Sequence, residues 1–110
     1  MLTENQQKWV DALRSGDYEQ GRGSLQRGDK YCCLGVACVV AEINGVSVTK
    51  FEGEIDGGGL WSQKAVKDWV GLSDKEGRLI SANDRDEWSF AEIADLIESK
   101  PPGLFVEESE

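Results

Sequence analysis

Histidine is absent from this 110-residue chain, and methionine occurs only once. Imidazole is the usual base that activates a serine or cysteine nucleophile, so its absence excludes Cys-His and Ser-His mechanisms within one chain. It also removes a common zinc ligand, and the three cysteines lack the paired spacing of a zinc site. We therefore expect no metal, no cofactor and no catalytic residue.

Long hydrophobic runs are also missing. The longest, around residues 34–41, is about half of the ~18 residues that a membrane span requires. The N-terminus has no basic stretch followed by an apolar one, so we expect no secretion signal. An odd number of cysteines, two of them adjacent, favours a reduced, cytoplasmic protein. We expect neither membrane contact nor disulfides.

Basic side chains are scarce. The chain has 12 Lys and Arg against 21 Asp and Glu, which gives a net charge of −9. The imbalance lies mainly in residues 84–110, which hold nine acids and two bases. Direct DNA binding is not expected, because it depends on neutralising phosphates. The acidic end is either a solubilising surface, with a flexible tail at residues 107–110, or a surface that occupies a basic groove of another protein.

The residues that are present suit one compact domain over residues 1–110, since 39% are hydrophobic and 30% charged. Apolar spacing and capping signals predict helices near residues 4–15, 31–43, 62–70 and 89–99. The first and last open with capping boxes, Thr3 with Gln6 and Ser89 with Glu92. The predicted fold is mainly α, in the α+β class.

Two further elements are predicted between these helices. Val46, Val48, Phe51 and Ile55 indicate a small extended element or hairpin before a run of three glycines. Ser73 and Asp74 are positioned to cap another turn or helix that leads through residues 79 and 80.

The cysteine-rich run at residues 31–43 allows two interpretations. Its β-branched residues favour a strand, whereas its length of 13 residues and the Asn44-Gly45 stop favour a buried helix, which we prefer. The predicted buried contacts of this helix are Cys33, Leu34, Ala37, Cys38 and Ala41. One enzymatic alternative remains, in which the helix N-terminus and Lys30 activate the thiol of Cys32 or Cys33.

The segment before the cysteine run, residues 16–30, is rich in glycine and is predicted to be a loop. Loops of that length are often functional. Gly23 and Gly28 have the spacing of a phosphate-binding loop, but the lysine is displaced by one position. A glycine- and arginine-bearing loop that leads into a helix N-terminus suits an anion or a phosphate. The candidate ligand-binding residues are Gln20, Arg22, Gly23, Arg27, Lys30 and Tyr31.

Several segments together resemble a family of small, uncharacterised proteins of tailed bacteriophages and prophages. They are Trp9-Val-x-Ala-Leu-Arg-Ser-Gly16 with Gln20-Gly-x-Gly23, Tyr31-Cys-Cys-Leu-Gly-Val-x-Cys38, Trp69-Val-Gly-Leu72, and Asn83-Asp84 followed by Ser89-Phe-x-Glu-Ile-Ala-Asp-Leu-Ile97. Such proteins have more glycine after Asn-Asp, where this chain has Arg85-Asp86-Glu87-Trp88.

The resemblance implies a non-enzymatic accessory protein that binds and inhibits a host target, for example as a counter-defence protein. Contact with a host protein is the first reading, with Asn83, Asp84 and Trp88 as candidate partner-binding residues. The second is a sponge that sequesters a phosphate-bearing nucleotide signal through residues 20–30. Assembly into a homo-oligomer would help either mode by joining loops of neighbouring copies.

Overall fold

The computed structural model describes residues 2–57, 59–60, 63–73, 77–101 and 103–106. Helices dominate and the strands are short, which confirms the predicted α+β class with a mainly helical content. In chain order the elements are α1 Glu4–Ser15, β1 Glu19–Gln20, β2 Gln26–Arg27, β3 Lys30–Tyr31, α2 Cys33–Ile43, β4 Lys50–Phe51, β5 Glu54–Ile55, α3 Lys64–Val70, α4 Gly77–Asp84 and α5 Phe90–Glu98.

Helices α1 and α5 begin as their sequences predict. The hydroxyl of Thr3 accepts the N–H of Gln6, and the side chain of Gln6 accepts the N–H of Thr3. Ser89 and Glu92 repeat this reciprocal pairing at α5. Each capping box satisfies N–H groups that the first turn of a helix leaves unpaired. Helix α1 contacts α5 and lays its buried side chains Trp9, Val10 and Leu13 into the core.

Helix α2 lies at the centre and contacts α1, α3 and α4. The five residues predicted to supply its buried contacts are all fully buried. It begins at Cys33, two residues later than predicted, because Tyr31 belongs to β3 and Cys32 is the N-cap. The interpretation of this run as a helix is confirmed from Cys33 onward.

The glycine-rich segment is not the structureless loop that its composition predicted. It contains a three-stranded sheet in the order β1-β3-β2, with β1 parallel and β2 antiparallel to β3. The two residues Gly28 and Asp29 form the turn between β2 and β3, and Gly28 has a positive φ of 61°. A glycine followed by an aspartate is a signal for a two-residue hairpin turn, which composition alone concealed.

The extended element predicted over residues 46–55 is a hairpin of β4 and β5. Its two-residue turn has positive φ at both Glu52 and Gly53, the conformation that lets a tight turn follow the twist of the strands. Gln63, which is buried, fastens the hairpin: its side-chain oxygen accepts the N–H of Thr49, and its amide donates to the carbonyls of Thr49 and Asp56.

The remaining predicted elements differ mainly in their ends. The helix predicted for residues 62–70 is α3, and the helix predicted through residues 79 and 80 is α4. Ser62, Asp74 and the predicted acidic tail at residues 107–110 lie outside the described residues. None of the helices in the described part of the chain has the length and apolar character that crossing a bilayer requires.

Candidate functional site

The structure joins the two groups of residues that the sequence singled out separately. The side-chain amide of Gln20, in β1, donates to Asn83 Oδ1 at 2.8 Å and to the carbonyl of Trp88 at 2.7 Å. In return, the amide of Asn83 donates to the carbonyl of Gly21 at 2.9 Å and to a carboxylate oxygen of Asp84 at 2.8 Å. These bonds tie the small sheet to the end of α4 and the residues that follow it.

Asn83 is the centre of this network. It is fully buried, and its Oδ1 also accepts the N–H of Cys33 at 3.3 Å. One side chain therefore connects the sheet, the end of α4 and the first turn of α2. Because buried polar groups are costly without partners, we assign Gln20 and Asn83 a positioning role, with their amides engaged inside the protein.

Three half-buried aromatic side chains lie on or beside this network. The rings of Tyr18 and Tyr31 meet edge to face, with centroids 5.9 Å apart and an interplanar angle of 89°. Trp88 is held next to β1 through the bond from Gln20. Sequence reasoning found Tyr31 and Trp88 but missed Tyr18, which lies one residue before β1 in a segment that was predicted to be a loop.

The turn between α4 and α5 carries the charges at this site. Its backbone is anchored, because the N–H groups of Arg85 and Asp86 donate to the carbonyl of Ser81. Arg85, Asp86 and Glu87 are exposed. We call the set Tyr18, Tyr31, Trp88 and residues 84–87 the aromatic–acidic surface.

Two of the three cations predicted to bind a ligand, Arg27 and Lys30, lie on the outer face of the small sheet. Residues paired in register point to the same face, so Glu19, Lys30 and Arg27 form one row across β1, β3 and β2. Lys30 is 3.8 Å from Glu19 in an ion pair. Arg22 and Gly23 are exposed in the connection that follows β1. Among the described residues, Arg22 and Arg27 make no ion pair.

The N-terminus of α2 is closed by protein groups. The N–H of Cys33 is taken by Asn83, and that of Gly35 by the thiol of Cys32 at 3.4 Å. The N–H of Cys32 donates to the carbonyl of Leu25 at 3.2 Å. An anion held by the arginines would therefore bind on the outer face of the sheet, away from this helix end.

The cysteine thiols are buried. Desolvation raises the pKa of Cys32 to about 11 and raises the pKa of Cys33 well above its ordinary value. Cys33 also directs its thiol to the carbonyl of Leu79 at 3.7 Å. Protonated, packed thiols are poor nucleophiles at neutral pH, which weighs against the enzymatic alternative. Within the described ranges, no cluster of three or more Cys, Asp or Glu could hold a metal ion.

A second concave region lies elsewhere on the molecule. It is a groove of about 890 Å³ between the start of α1, the end of α3 and the segment that follows α5. Its lining includes Gln6, Lys67, Trp69, Pro101 and Phe105. The sequence did not single out this groove, because its walls come from three distant parts of the chain.

Residues 1–101 match the family model of a domain of unknown function, DUF8296. The chain belongs to this family. The match spans α1 to α5 and includes the whole aromatic–acidic surface, but it ends before Phe105. No curated protein and no solved structure matches the chain.

Proposed function

We propose that this protein is a non-enzymatic accessory protein that binds a partner protein and inhibits it by contact through the aromatic–acidic surface. The observation that carries the proposal is the set of half-buried aromatic side chains on a frame held by Gln20 and Asn83. Tyrosine and tryptophan dominate the energetics of protein interfaces, and a rigid frame lowers the entropy lost on binding.

The acidic residues next to Trp88 favour a partner protein whose contact surface carries basic side chains at its rim. Asp84, Asp86 and Glu87 come shortly before Trp88 in the sequence, and Arg85 is the single base among them. A charged rim around aromatic anchors steers association and selects partners of opposite sign. The resemblance to proteins of tailed bacteriophages favours a host protein in the bacterial cytoplasm as the target, with counter-defence as the role.

The test compares two tryptophans. The protein, carrying a photo-crosslinking side chain at position 85, is used to capture a partner from host lysate. Binding of that purified partner is then measured for Trp88→Ala and Trp69→Ala. Both tryptophans are half-buried, but Trp69 lines the separate groove. We expect Trp88→Ala to weaken binding about 30-fold or more, as for an interface hot spot, and Trp69→Ala to leave it nearly unchanged.

The opposite pattern would contradict the proposal. Loss of binding in Trp69→Ala alone would move the interface to the groove. Crosslinking that is equally strong from position 65, an exposed site on α3, would mean that the capture is unspecific.

A second function, capture of a phosphate-bearing nucleotide signal, is favoured by a different observation. Arg27 and Lys30 are paired in register and lie on the same outer face, and Arg22 is exposed in the connection between β1 and β2. Guanidinium groups bind phosphate oxygens through two parallel N–H bonds. The number of cations is small, so protein binding stays the first proposal.

A thermal-shift screen against nucleotides separates the two functions. A ligand that binds only the folded state stabilises it in proportion to ln(1 + [L]/Kd). The Arg22→Ala/Arg27→Ala double variant should lose this shift. The matched control, Lys64→Ala/Arg78→Ala, removes two exposed cations from α3 and α4 and should retain it. If the Arg22→Ala/Arg27→Ala variant keeps the thermal shift, the nucleotide proposal is wrong.

A further inference from the structure

Asn44 and Gly45 form the one asparagine–glycine pair in the sequence, and they follow the last residue of α2. A backbone nitrogen that follows an asparagine can attack the side-chain carbonyl carbon within the same chain, and glycine hinders this approach least because it has no Cβ. Both residues are exposed, so water reaches them. The pair therefore carries the groups that spontaneous loss of the asparagine amide requires.

In the folded protein, hydrogen bonds occupy both reacting groups. The side-chain amide of Asn44 donates to the carbonyl of Val40 at 2.7 Å, and its oxygen accepts from the ammonium of Lys8 at 3.1 Å. The attacking nitrogen is that of Gly45, whose N–H donates to the carbonyl of Glu42 at 3.0 Å. This nitrogen must turn toward the side chain of Asn44 before a ring can close, so both bonds to helix carbonyls must first break.

The last turn of α2 has little to hold it closed beyond these bonds. Ile43 is 73% exposed, so opening of the turn uncovers little apolar surface. The ion pair between Glu42 and Lys50 is exposed, and such pairs contribute little to stability. Segments with few buried contacts open locally while the rest of the domain stays folded. The reaction can therefore proceed from a locally opened state.

We propose that Asn44 is a self-modification site, guarded by the last turn of α2, that converts to aspartate and isoaspartate when this turn opens. A bond forms from the Gly45 nitrogen to Asn44 Cγ as the Cγ–Nδ2 bond breaks, and the proton of the Gly45 nitrogen leaves with Nδ2 as ammonia. Water then opens the resulting cyclic imide. Cleavage at Cγ gives aspartate, and cleavage at the backbone carbonyl carbon gives isoaspartate, whose backbone runs through the β-carboxyl group.

Either product changes the end of α2 irreversibly. A carboxylate has no N–H to donate to the carbonyl of Val40, and its negative charge is unfavourable at a helix C-terminus. Isoaspartate also lengthens the backbone before Val46, whose N–H bonds to the carbonyl of Ala41 at 3.0 Å. We therefore expect modification to loosen the connection between α2 and the hairpin of β4 and β5. This site is independent of the aromatic–acidic surface.

The first test compares the rate of modification in the folded and the unfolded chain. The protein is incubated at mildly alkaline pH with and without guanidinium chloride, and peptide mass spectrometry after chromatographic separation of the two products follows each asparagine. We expect Asn44 to react about tenfold or more slowly in the folded protein, because two hydrogen bonds must break before the ring closes. Asn5 and Asn83 are internal controls: neither is followed by glycine, so both should react more slowly than Asn44 in the unfolded chain.

Two matched variants locate the opening that permits the reaction. Ala41 lies in α2 and Ala94 in α5, and both are fully buried. Replacement by glycine weakens either helix by a similar amount. We expect Ala41→Gly to accelerate modification of Asn44 in the folded protein about three- to fivefold, and Ala94→Gly to leave it nearly unchanged. Circular dichroism verifies that both variants are folded during the incubation.

Three outcomes would overturn the proposal. Equal rates at Asn44 in the folded and the unfolded chain would mean that α2 does not guard the site. Equal rates in Ala41→Gly and Ala94→Gly would mean that the end of α2 does not control the reaction. Faster modification of Asn5 or Asn83 in the unfolded chain would place the reactive asparagine elsewhere.

Discussion

The two faces of the small sheet formed by β1, β2 and β3 differ in what their side chains do. On the inner face, the amide of Gln20 bonds to α4 and to Trp88, and the side chain of Gln26 accepts the N–H of Ile55 at 2.9 Å. On the outer face, Lys30 makes a long ion pair with Glu19, and Arg27 is exposed. In β1 and β2, one residue therefore bonds to other parts of the protein, and its neighbour places a charged side chain on the outer face.

The difference shows how a short polar segment can support the fold on one face and expose charged side chains on the other. Successive residues of a strand point to opposite faces, so the two residues of each strand lie on different faces of the sheet. The anchors hold the small sheet against the end of α4 and Trp88, whereas Arg27 on the outer face is exposed. Changes on the inner face should reduce stability, and changes on the outer face should leave it nearly unaltered.

The largest effect on the free energy of unfolding is expected at Gly35, where α2 packs against the backbone just before β2. A Cβ on Gly35 would lie 1.8 Å from the carbonyl oxygen of Leu25, too close for any real contact. We expect Gly35→Ala to lower the free energy of unfolding by about 3 kcal/mol or more, measured by urea denaturation. Gly77→Ala is the matched control, because none of the described residues lies within 4 Å of its Cβ position, and it should change stability by at most about 1 kcal/mol.

The second-largest effect on the free energy of unfolding is expected when the side chain of Asn83 is removed. Asn83→Ala deprives the N–H of Cys33 and the carbonyl of Gly21 of a partner inside the protein. Leaving buried polar groups unpaired should lower the free energy of unfolding by about 2–3 kcal/mol, measured by chemical denaturation. Asn5→Ala breaks one half-buried amide bond, to Trp69, and should cost about 1 kcal/mol. Equal losses in the two variants would contradict the central role of Asn83.

Because the cysteine thiols are buried, we predict that the free energy of unfolding depends on pH. Burial raises the pKa of Cys32 from 9.0 to about 11, so the folded protein keeps a proton that the unfolded chain loses. The free energy of unfolding should therefore be unaffected by this group below pH 9 and fall as the pH rises from about 9 through about 11. Denaturation curves recorded across this range measure the fall.

Cys32→Ser is the control for that measurement. Serine keeps an acceptor for the N–H of Gly35 but does not titrate in this range, so the fall should become shallower. Thiol labelling should also be slow at pH 7. Identical pH curves, or rapid labelling of the folded protein, would show that Cys32 is not the protected group described here.

The smallest effects on stability are expected in β2, where the neighbouring residues Gln26 and Arg27 point to opposite faces of the small sheet. Gln26→Ala removes the acceptor of the Ile55 N–H and should reduce the free energy of unfolding by about 1 kcal/mol. Arg27→Ala, one residue further, should change it by less than about 0.5 kcal/mol, as an exposed substitution does. Thermal denaturation of both variants resolves the difference. A larger loss in Arg27→Ala would break the distinction between inner and outer faces.

Much of the helical part was predictable from local signals. The capping boxes, the glycine after α1 and the apolar spacing of α5 each depend on residues a few positions apart, so the sequence displays them directly. The prediction was less accurate at the start of α2, where Tyr31 pairs with Gln20 and Gln26 instead of joining the helix. Strand pairing involves residues distant in the chain, which periodicity cannot detect.

The candidate site was predictable only as separate segments. Gln20 and Asn83 were singled out for different roles, a ligand loop and a partner surface, yet they bond to each other at 2.8 Å. Nothing in the spacing of 63 residues predicts this contact. The groove at Phe105 was missed for the same reason, since its walls join the start of α1 to the end of the described chain.

By itself, the sequence determined most of the helices and the burial of the cysteine run, because these follow from composition, capping and periodicity. Only the tertiary structure decided which polar residues became anchors and which remained exposed. The physical reason is that an amide is satisfied by whichever partner folding brings within about 3 Å. Here Asn83, in α4, reached both the small sheet and the first turn of α2, and the bond from Gln20 to the carbonyl of Trp88 held that residue next to β1.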